Sequence, residues 1–393
     1  MFDEIRPYET GEMQQAFKEL LDDRQFNKML KGLVPWIPKS VRNGLLRLAF
    51  RGVETPLQFQ MRFMKPIVKN IIRRHTDGCI FDDQMLFPDD TTKAAKQTTR
   101  YTFVSNHRDI VLDSAFLDIM LIEADYPTTV EIGIGDNLLI YPWIKRLVRM
   151  NKAFTVRRGL TPKEMLHSSQ LMSQYIHHAV NDKHENIWIA QREGRAKDSD
   201  DRTQESVLKM LAMGGKGDNL CDKLRDLNIV PLTISYEFDP CDYLKTQEFQ
   251  QKHDNPSFKK SRQDDLDNMK TGITGYKGRV HYRCAAPINT LIDKYANLPK
   301  NEFFTAISQR IDIEIHKNYT LFPSNYIAVD LVRGNNLLSS HYTNEEKNKF
   351  QKYITTQLAK INLSNKDEEL MREYMLTMYA NPLFNLQKAE ITL

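Results

Sequence analysis

The residues best suited to chemistry sit between Phe103 and Asp118, where the chain reads F-V-S-N-H-R-D-I-V-L-D-S-A-F-L-D. His107 has two carboxylates just beyond it, Asp109 and Asp113. An imidazole oriented by a carboxylate is the simplest group for taking a proton from a hydroxyl near neutral pH. A β-rich run, Tyr101 to Val104, precedes His107, and apolar residues at helical spacing follow it: Ile110, Val111, Phe116, Leu117, Met120 and Leu121. The pattern predicts strand, short loop and helix, with His107 in the loop where the sheet ends. In open α/β sheets ligands bind at the carboxyl ends of strands. If the helix starts near Ile110, Asp109 is placed to cap it and Asp113 lies in its first turn. Either carboxylate can orient the ring.

Other polar groups gather at further strand ends. Phe154 to Val156 runs into Arg157, Arg158 and Gly159. Adjacent arginines at a strand end make an oxyanion clamp, because the guanidinium fork matches phosphate geometry. Ile187 to Gln191 runs out into Arg192, Glu193, Gly194, Arg195 and Lys197. There the bases can hold a phosphate, Glu193 can orient one of them, and Gly194 lets the backbone approach a ligand closely. Ile229 to Tyr236 is a buried strand, with Pro231 tolerated near its start.

Six strands are predicted, at 100–105, 129–134, 153–157, 186–191, 229–236 and 279–284. Helices over 110–124, 141–150, 162–181, 203–213 and 218–227 alternate with them. The alternation gives an α/β fold, a mostly parallel central sheet flanked by helices, with helical N-terminal and C-terminal extensions. The regions expected are 1–95, a helical, basic and apolar N-terminal region; 96–290, the α/β domain; and 291–393, a helical region packed on it. Within the second, 238–277 is a long polar or helical insert. In the third, helices fall at 300–317, 344–361 and 365–379.

At 393 residues, 41 % hydrophobic and 27 % charged, the chain has the material for a sizeable core. A net charge of +4 does not imply nucleic acid. Cys79, Cys221, Cys241 and Cys284 show neither a C-x-x-C pair nor metal spacing, and read as reduced, mostly packed thiols of a cytosolic protein. The first residues carry acids and no apolar run, unlike a secretory leader, and no window reaches the roughly 18 apolar residues of a membrane span. His167, His177 and His178 fall on one helix without an H-E-x-x-H pattern, so surface or partly buried histidine is the expectation.

Residues 37–75 carry nine bases, Lys39, Arg42, Arg47, Arg51, Arg62, Lys65, Lys69, Arg73 and Arg74, against the single acid Glu54. Apolar residues lie between them at helical spacing, interrupted by Pro56 and Pro66. Two readings fit. One is a pair of core helices with solvated basic faces. The other is an interfacial pair on anionic lipid, where each near-surface base contributes about 1 kcal/mol.

Taken in order, these blocks resemble the glycerolipid acyltransferase superfamily. Asn106, His107 and Arg108 resemble the start of its N-H-x-x-x-x-D motif. Phe154 and Arg157 resemble its block ending F-I-x-R, and Glu193, Gly194 and Arg195 its E-G-x-R-S motif. Val230, Pro231 and Leu232 resemble its V-P-V strand, and Gly278 to Ile288 its closing segment. The resemblance covers roughly residues 95–290. It departs at Leu112, which stands where the family has its Asp; Asp113 comes one residue late. The Arg of the third motif comes one residue early.

The resemblance implies an O-acyltransferase that moves a fatty acyl group from a thioester to the hydroxyl of 1-acyl-sn-glycerol-3-phosphate in phospholipid biosynthesis. Glycerol-3-phosphate and other lysolipids are alternative acceptors, and a non-catalytic peripheral lipid-binding protein is the alternative class. It implies His107 as general base with Asp113 or Asp109 behind it. Arg157, Arg158, Glu193, Gly194, Arg195 and Lys197 are the phosphate-binding set. No metal and no tightly bound cofactor is expected; acyl-CoA or acyl carrier protein is the co-substrate. Expected partners are an anionic membrane surface met by residues 37–75 and, for an acyl carrier protein donor, that carrier, with no nucleic acid. The expected location is peripheral, on the cytoplasmic face of the membrane.

Two rival enzymes share the motif. A kinase catalytic loop also opens His-Arg-Asp, but it needs an Asn where Ser114 stands. A metal-dependent hydrolase could be built on His107, Asp109 and Asp113.

Overall fold

The computed structural model describes residues 1–87 and 92–391; residues 88–91 of the N-terminal region and 392–393 of the C-terminal one lie outside the described residues. Among the described residues seven strands form one sheet in the order β1-β7-β6-β2-β5-β3-β4. They are β1 (Cys79–Asp82), β2 (Thr102–Ser105), β3 (Val130–Gly135), β4 (Ala153–Val156), β5 (Asn186–Ala190), β6 (Ile229–Tyr236) and β7 (Val280–Cys284). Only the β6–β7 pair is antiparallel. The fold is therefore α/β with a mostly parallel sheet and helical regions at both ends.

From β2 the chain builds β3 and β4 on one side, returns to insert β5 beside β2, then crosses to place β6 on the other side. The strand order reverses at β2, and the crevice at its carboxyl end is where such a sheet receives a ligand. The two faces of β2 feed two cores, as the strand period requires. Val104 joins Ile187, Ile229 and the helices Pro162–Asn181, Glu205–Met213 and Lys300–Lys317. Phe103 joins Val230, Tyr282 and the helix Leu112–Glu123.

The strand β1 falls where only helix was expected, inside the N-terminal region. It pairs with β7 at the sheet edge. The insert forms two helices, Asp242–Asp254 and Arg262–Thr274, and the C-terminal region adds the unforeseen helices Asn289–Lys294 and Pro323–Arg333. Asp242 ties the insert to the C-terminal helices by accepting from the hydroxyls of Tyr353 (2.7 Å) and Tyr379 (2.8 Å) and from Gln357 Nε2 (2.8 Å).

Residues 37–75 are buried in part and exposed in part. Phe50, Val53, Phe59 and Val68 are buried, and Phe50 stacks on Phe17 of the leading helix. Arg42 is buried too and donates to Asn27, so it does not belong to the solvated basic set. Val41, Leu45, Leu48, Met61 and Ile67 are exposed. Pro66 does not interrupt the helical run: a π turn over Gln60–Met64 leads directly into Lys65–His75. No helix among the described residues is long and apolar enough to cross a membrane.

Candidate active site

The loop after β2 is pinned by its own side chains. Asn106 is buried and faces β6, donating from Nδ2 to the Ile234 carbonyl (2.9 Å) and accepting from the Ile234 amide (2.7 Å). One side chain thus continues the strand ladder past the last backbone pair. Strand alternation then sends His107 and Arg108 to opposite faces. His107 lies against the edge of Trp188 on β5, with ring centroids 5.5 Å apart, and Trp188 is itself held by a 3.0 Å bond from Nε1 to Ser105 Oγ.

Asp113 is the carboxylate behind the imidazole. Its Oδ2 lies 2.8 Å from His107 Nδ1 and accepts from the amides of Arg108 (2.7 Å) and Asp109 (3.0 Å). Its Oδ1 accepts from the Tyr236 hydroxyl at 3.1 Å, and the Tyr282 hydroxyl reaches its carbonyl at 2.9 Å. Two amides and a phenol leave Asp113 one position, and the ring follows it. Nε2 of His107 makes no hydrogen bond among the described residues, so the ring presents a free nitrogen to the crevice.

Asp109 does another job. Its Oδ1 accepts from the amides of Val111 and Leu112, both at 2.8 Å, closing the turn before the helix Leu112–Glu123. The residue that displaced Asp113 in sequence is taken up in this turn, because the helix begins at Leu112 instead of near Ile110. Burial first, then the nearby Asp113 charge, pushes the Asp109 carboxyl above its usual range; Arg195 and the two capping amides oppose this. The insert presses directly on Asp109. A Cβ at Gly272 would fall 2.1 Å from its Oδ2. Gly272→Ala is therefore expected to cost about 1–3 kcal/mol by overpacking and to lower activity by shifting the capped turn. An unchanged denaturation midpoint would contradict that contact.

The residues expected to bind phosphate are only partly gathered. Arg157 turns outward to an exposed ion pair with Glu4, a departure from the clamp expected with Arg158. Its partner comes from the first residues of the chain, which pattern alone could not foresee. Arg158 also forms an exposed ion pair, with Glu193, and its amide donates to Asp136 (3.0 Å). Gly194 adopts φ +70°, a left-handed conformation that favours glycine. Arg195 reaches the insert, donating to Asn268 Oδ1 at 2.9 Å, and Lys197 pairs with the buried Glu248 of the insert.

Several neighbours escaped sequence reasoning. Arg108, on the far face, donates to Asp201 Oδ2 at 2.7 Å; the same oxygen accepts from the Tyr319 hydroxyl (2.5 Å) and from Asn106 (3.3 Å). A cavity of about 30 Å³ beside Arg108 has room for little more than water. The only hint of Asp201 in the sequence was its place in the acidic run after Lys197.

His177 bonds the Leu211 carbonyl and His178 bonds Asp182, both on the Pro162–Asn181 helix. Among the described residues no group of three or more His, Cys, Asp or Glu side chains converges as metal ligands. The four cysteines are free, three of them buried. No protein-family model matches the chain, and no curated protein matches it.

Proposed function

We propose that this chain is an O-acyltransferase of the glycerolipid type it resembles, moving an acyl group from acyl-CoA or acyl carrier protein to the hydroxyl of 1-acyl-sn-glycerol-3-phosphate. The observation that carries this reading is the His107–Asp113 pair at the switch point of the sheet, with Nδ1 bound and Nε2 free. No serine or cysteine is hydrogen-bonded to His107 among the described residues, which favours direct transfer over an acyl-enzyme. His107 Nε2 takes the proton from the acceptor hydroxyl as that oxygen attacks the thioester carbonyl. The C–S bond breaks, and the departing thiolate takes the proton from the imidazolium, leaving an ester and a free thiol. Asp113 holds the ring in the right tautomer and offsets its transient charge.

A peripheral place on the membrane is part of the proposal. Exposed Val41, Leu45, Leu48, Met61 and Ile67 share the N-terminal helices with exposed Arg47, Arg51, Arg62, Lys69, Arg73 and Arg74, the composition of an interfacial surface. A pocket of about 470 Å³ opens between the Lys65–His75 helix and the far end of the Leu112–Glu123 helix, lined by Ile72, Cys79, Ile119 and Met120 and by the charged Lys69, Arg73 and Glu123. Ile119 is about 9 Å along the helix from Asp113, within reach of a fatty acyl chain.

The test is transfer of labelled acyl groups by purified protein to lysophosphatidate in anionic vesicles and to glycerol-3-phosphate in solution. Transfer to lysophosphatidate, with vesicle binding that weakens as salt rises, is the expected result. Transfer to glycerol-3-phosphate alone would move the acceptor, and vesicle binding without transfer to either would replace the enzyme by a lipid-binding protein.

A further inference from the structure

The pocket between the Lys65–His75 and Leu112–Glu123 helices has two chemically different ends. Its floor is apolar: Ile119 and Met120 are buried there, with Ile72 and Cys79 half-buried beside them. Its mouth is polar, formed by the exposed Lys69, Asn70, Arg73 and Glu123. Lys69 and Glu123 lie 2.7 Å apart and offset each other's charge. Arg73 donates from Nη2 to the neutral Oδ1 of Asn70 at 2.9 Å. It makes no ion pair among the described residues, and its Nε and Nη1 are unengaged by the protein. The lining therefore carries one uncompensated positive charge above an apolar floor. At about 470 Å³ the pocket is of the size that takes small ligands. A guanidinium fork at the rim of an apolar floor is complementary to an amphiphile with a carboxylate head.

We propose that this pocket binds a free long-chain carboxylate, with the alkyl chain against Ile72, Cys79, Ile119 and Met120 and the head on Arg73. The mouth lies beside Glu123, at the other end of its helix from Asp113 and about 15 Å along it. A carboxylate held there is out of reach of His107, so it is a bound ligand and not a reacting group. Its chain fills the space that the acyltransferase reading offers to the acyl group. On that reading a free fatty acid competes with the acyl donor.

Cys79 reports occupancy from inside the pocket, because the other three cysteines are buried. Burial pushes its thiol up to about 12, against the opposing bond from Thr76. Its alkylation by a small maleimide is therefore slow and is followed at alkaline pH, with Cys79→Ser identifying its share. The probes are octanoate, decanoate, dodecanoate and decanol, each below its micellar concentration, with the full native chain, Arg73→Gln and, as a control for general charge loss, Arg47→Gln. The carboxylates should slow alkylation, the half-protecting concentration falling about fourfold with each added methylene. Arg73→Gln should need about two- to fivefold more decanoate, the span of one exposed charge pair, and no more decanol. Arg47→Gln should match the native chain. Alkylation unchanged by every carboxylate, or equal protection of the native chain and Arg73→Gln by decanoate, overturns the site. In an active chain, decanoate should raise KM for the acyl donor and leave kcat unchanged; protection of Cys79 with no effect on transfer overturns the competition. Arg73-dependent protection in a chain that transfers no acyl group leaves the site standing and refutes the acyltransferase reading alone.

Discussion

Asp113→Asn should lower acyl transfer about 10²–10⁴-fold with KM little changed, the span that general-base help supplies. The amides of Arg108 and Asp109 and Nδ1 of His107 all point at one oxygen of Asp113, so the asparagine must place its own oxygen there and turn its amide nitrogen toward Tyr236. The ring keeps its orientation and loses the charge that offsets the imidazolium. The loss therefore falls on kcat. Asp109→Asn should stay within about a factor of ten of the native rate, because an amide oxygen caps Val111 and Leu112 as well as a carboxylate does. Equal losses in the two variants would remove the distinction between partner and cap.

Asp201→Ala should produce the largest loss of stability, about 3–5 kcal/mol, read as a lowered midpoint in urea. Burial is the largest influence and disfavours the Arg108 charge; the adjacent Asp201 carboxylate leads the groups that together outweigh it, with Tyr319, Asp239 and Asp113 behind it. Removing the carboxylate takes the buried guanidinium's ion-pair partner, leaving only the more distant Asp239 and Asp113 charges, and takes an acceptor from the Tyr319 hydroxyl and from Asn106. Arg108→Leu combined with Asp201→Ala should recover part of the loss, since it removes the orphaned charge. A double variant no more stable than Asp201→Ala would mean that the charge is not the cause.

The strands carrying the site were legible because each is a short apolar run ending in polar residues. Tyr101 to Val104, Ile187 to Ala190 and Ile229 to Tyr236 lie within a residue or two of the strands observed. The edge strand Cys79–Asp82 was not, since four residues behind Gly78 offer too little alternation to detect. The helix Pro323–Arg333 was missed as well; it opens on Pro323, which a helix tolerates at its first position.

At the site, His107 was legible by type and position, but the choice between Asp109 and Asp113 was not. It turns on where the helix starts, and a shift of two residues decides which carboxylate meets the ring. Charge clustering was legible only within each segment. Arg157 finds Glu4, and Lys197 finds Glu248, Lys252 and Lys260, through contacts spanning 51 residues or more. Those pairings are set by the sheet order and the folding back of the insert, which local pattern does not encode.

The most direct measurement compares initial rates of acyl transfer for the native chain and His107→Ala, with circular dichroism confirming that both are folded. Transfer by the native chain that falls by about 10²–10⁴-fold or more in the variant is the predicted result. A folded His107→Ala variant that transfers acyl groups at the native rate would contradict His107 as the base, and with it the mechanism built on the His107–Asp113 pair.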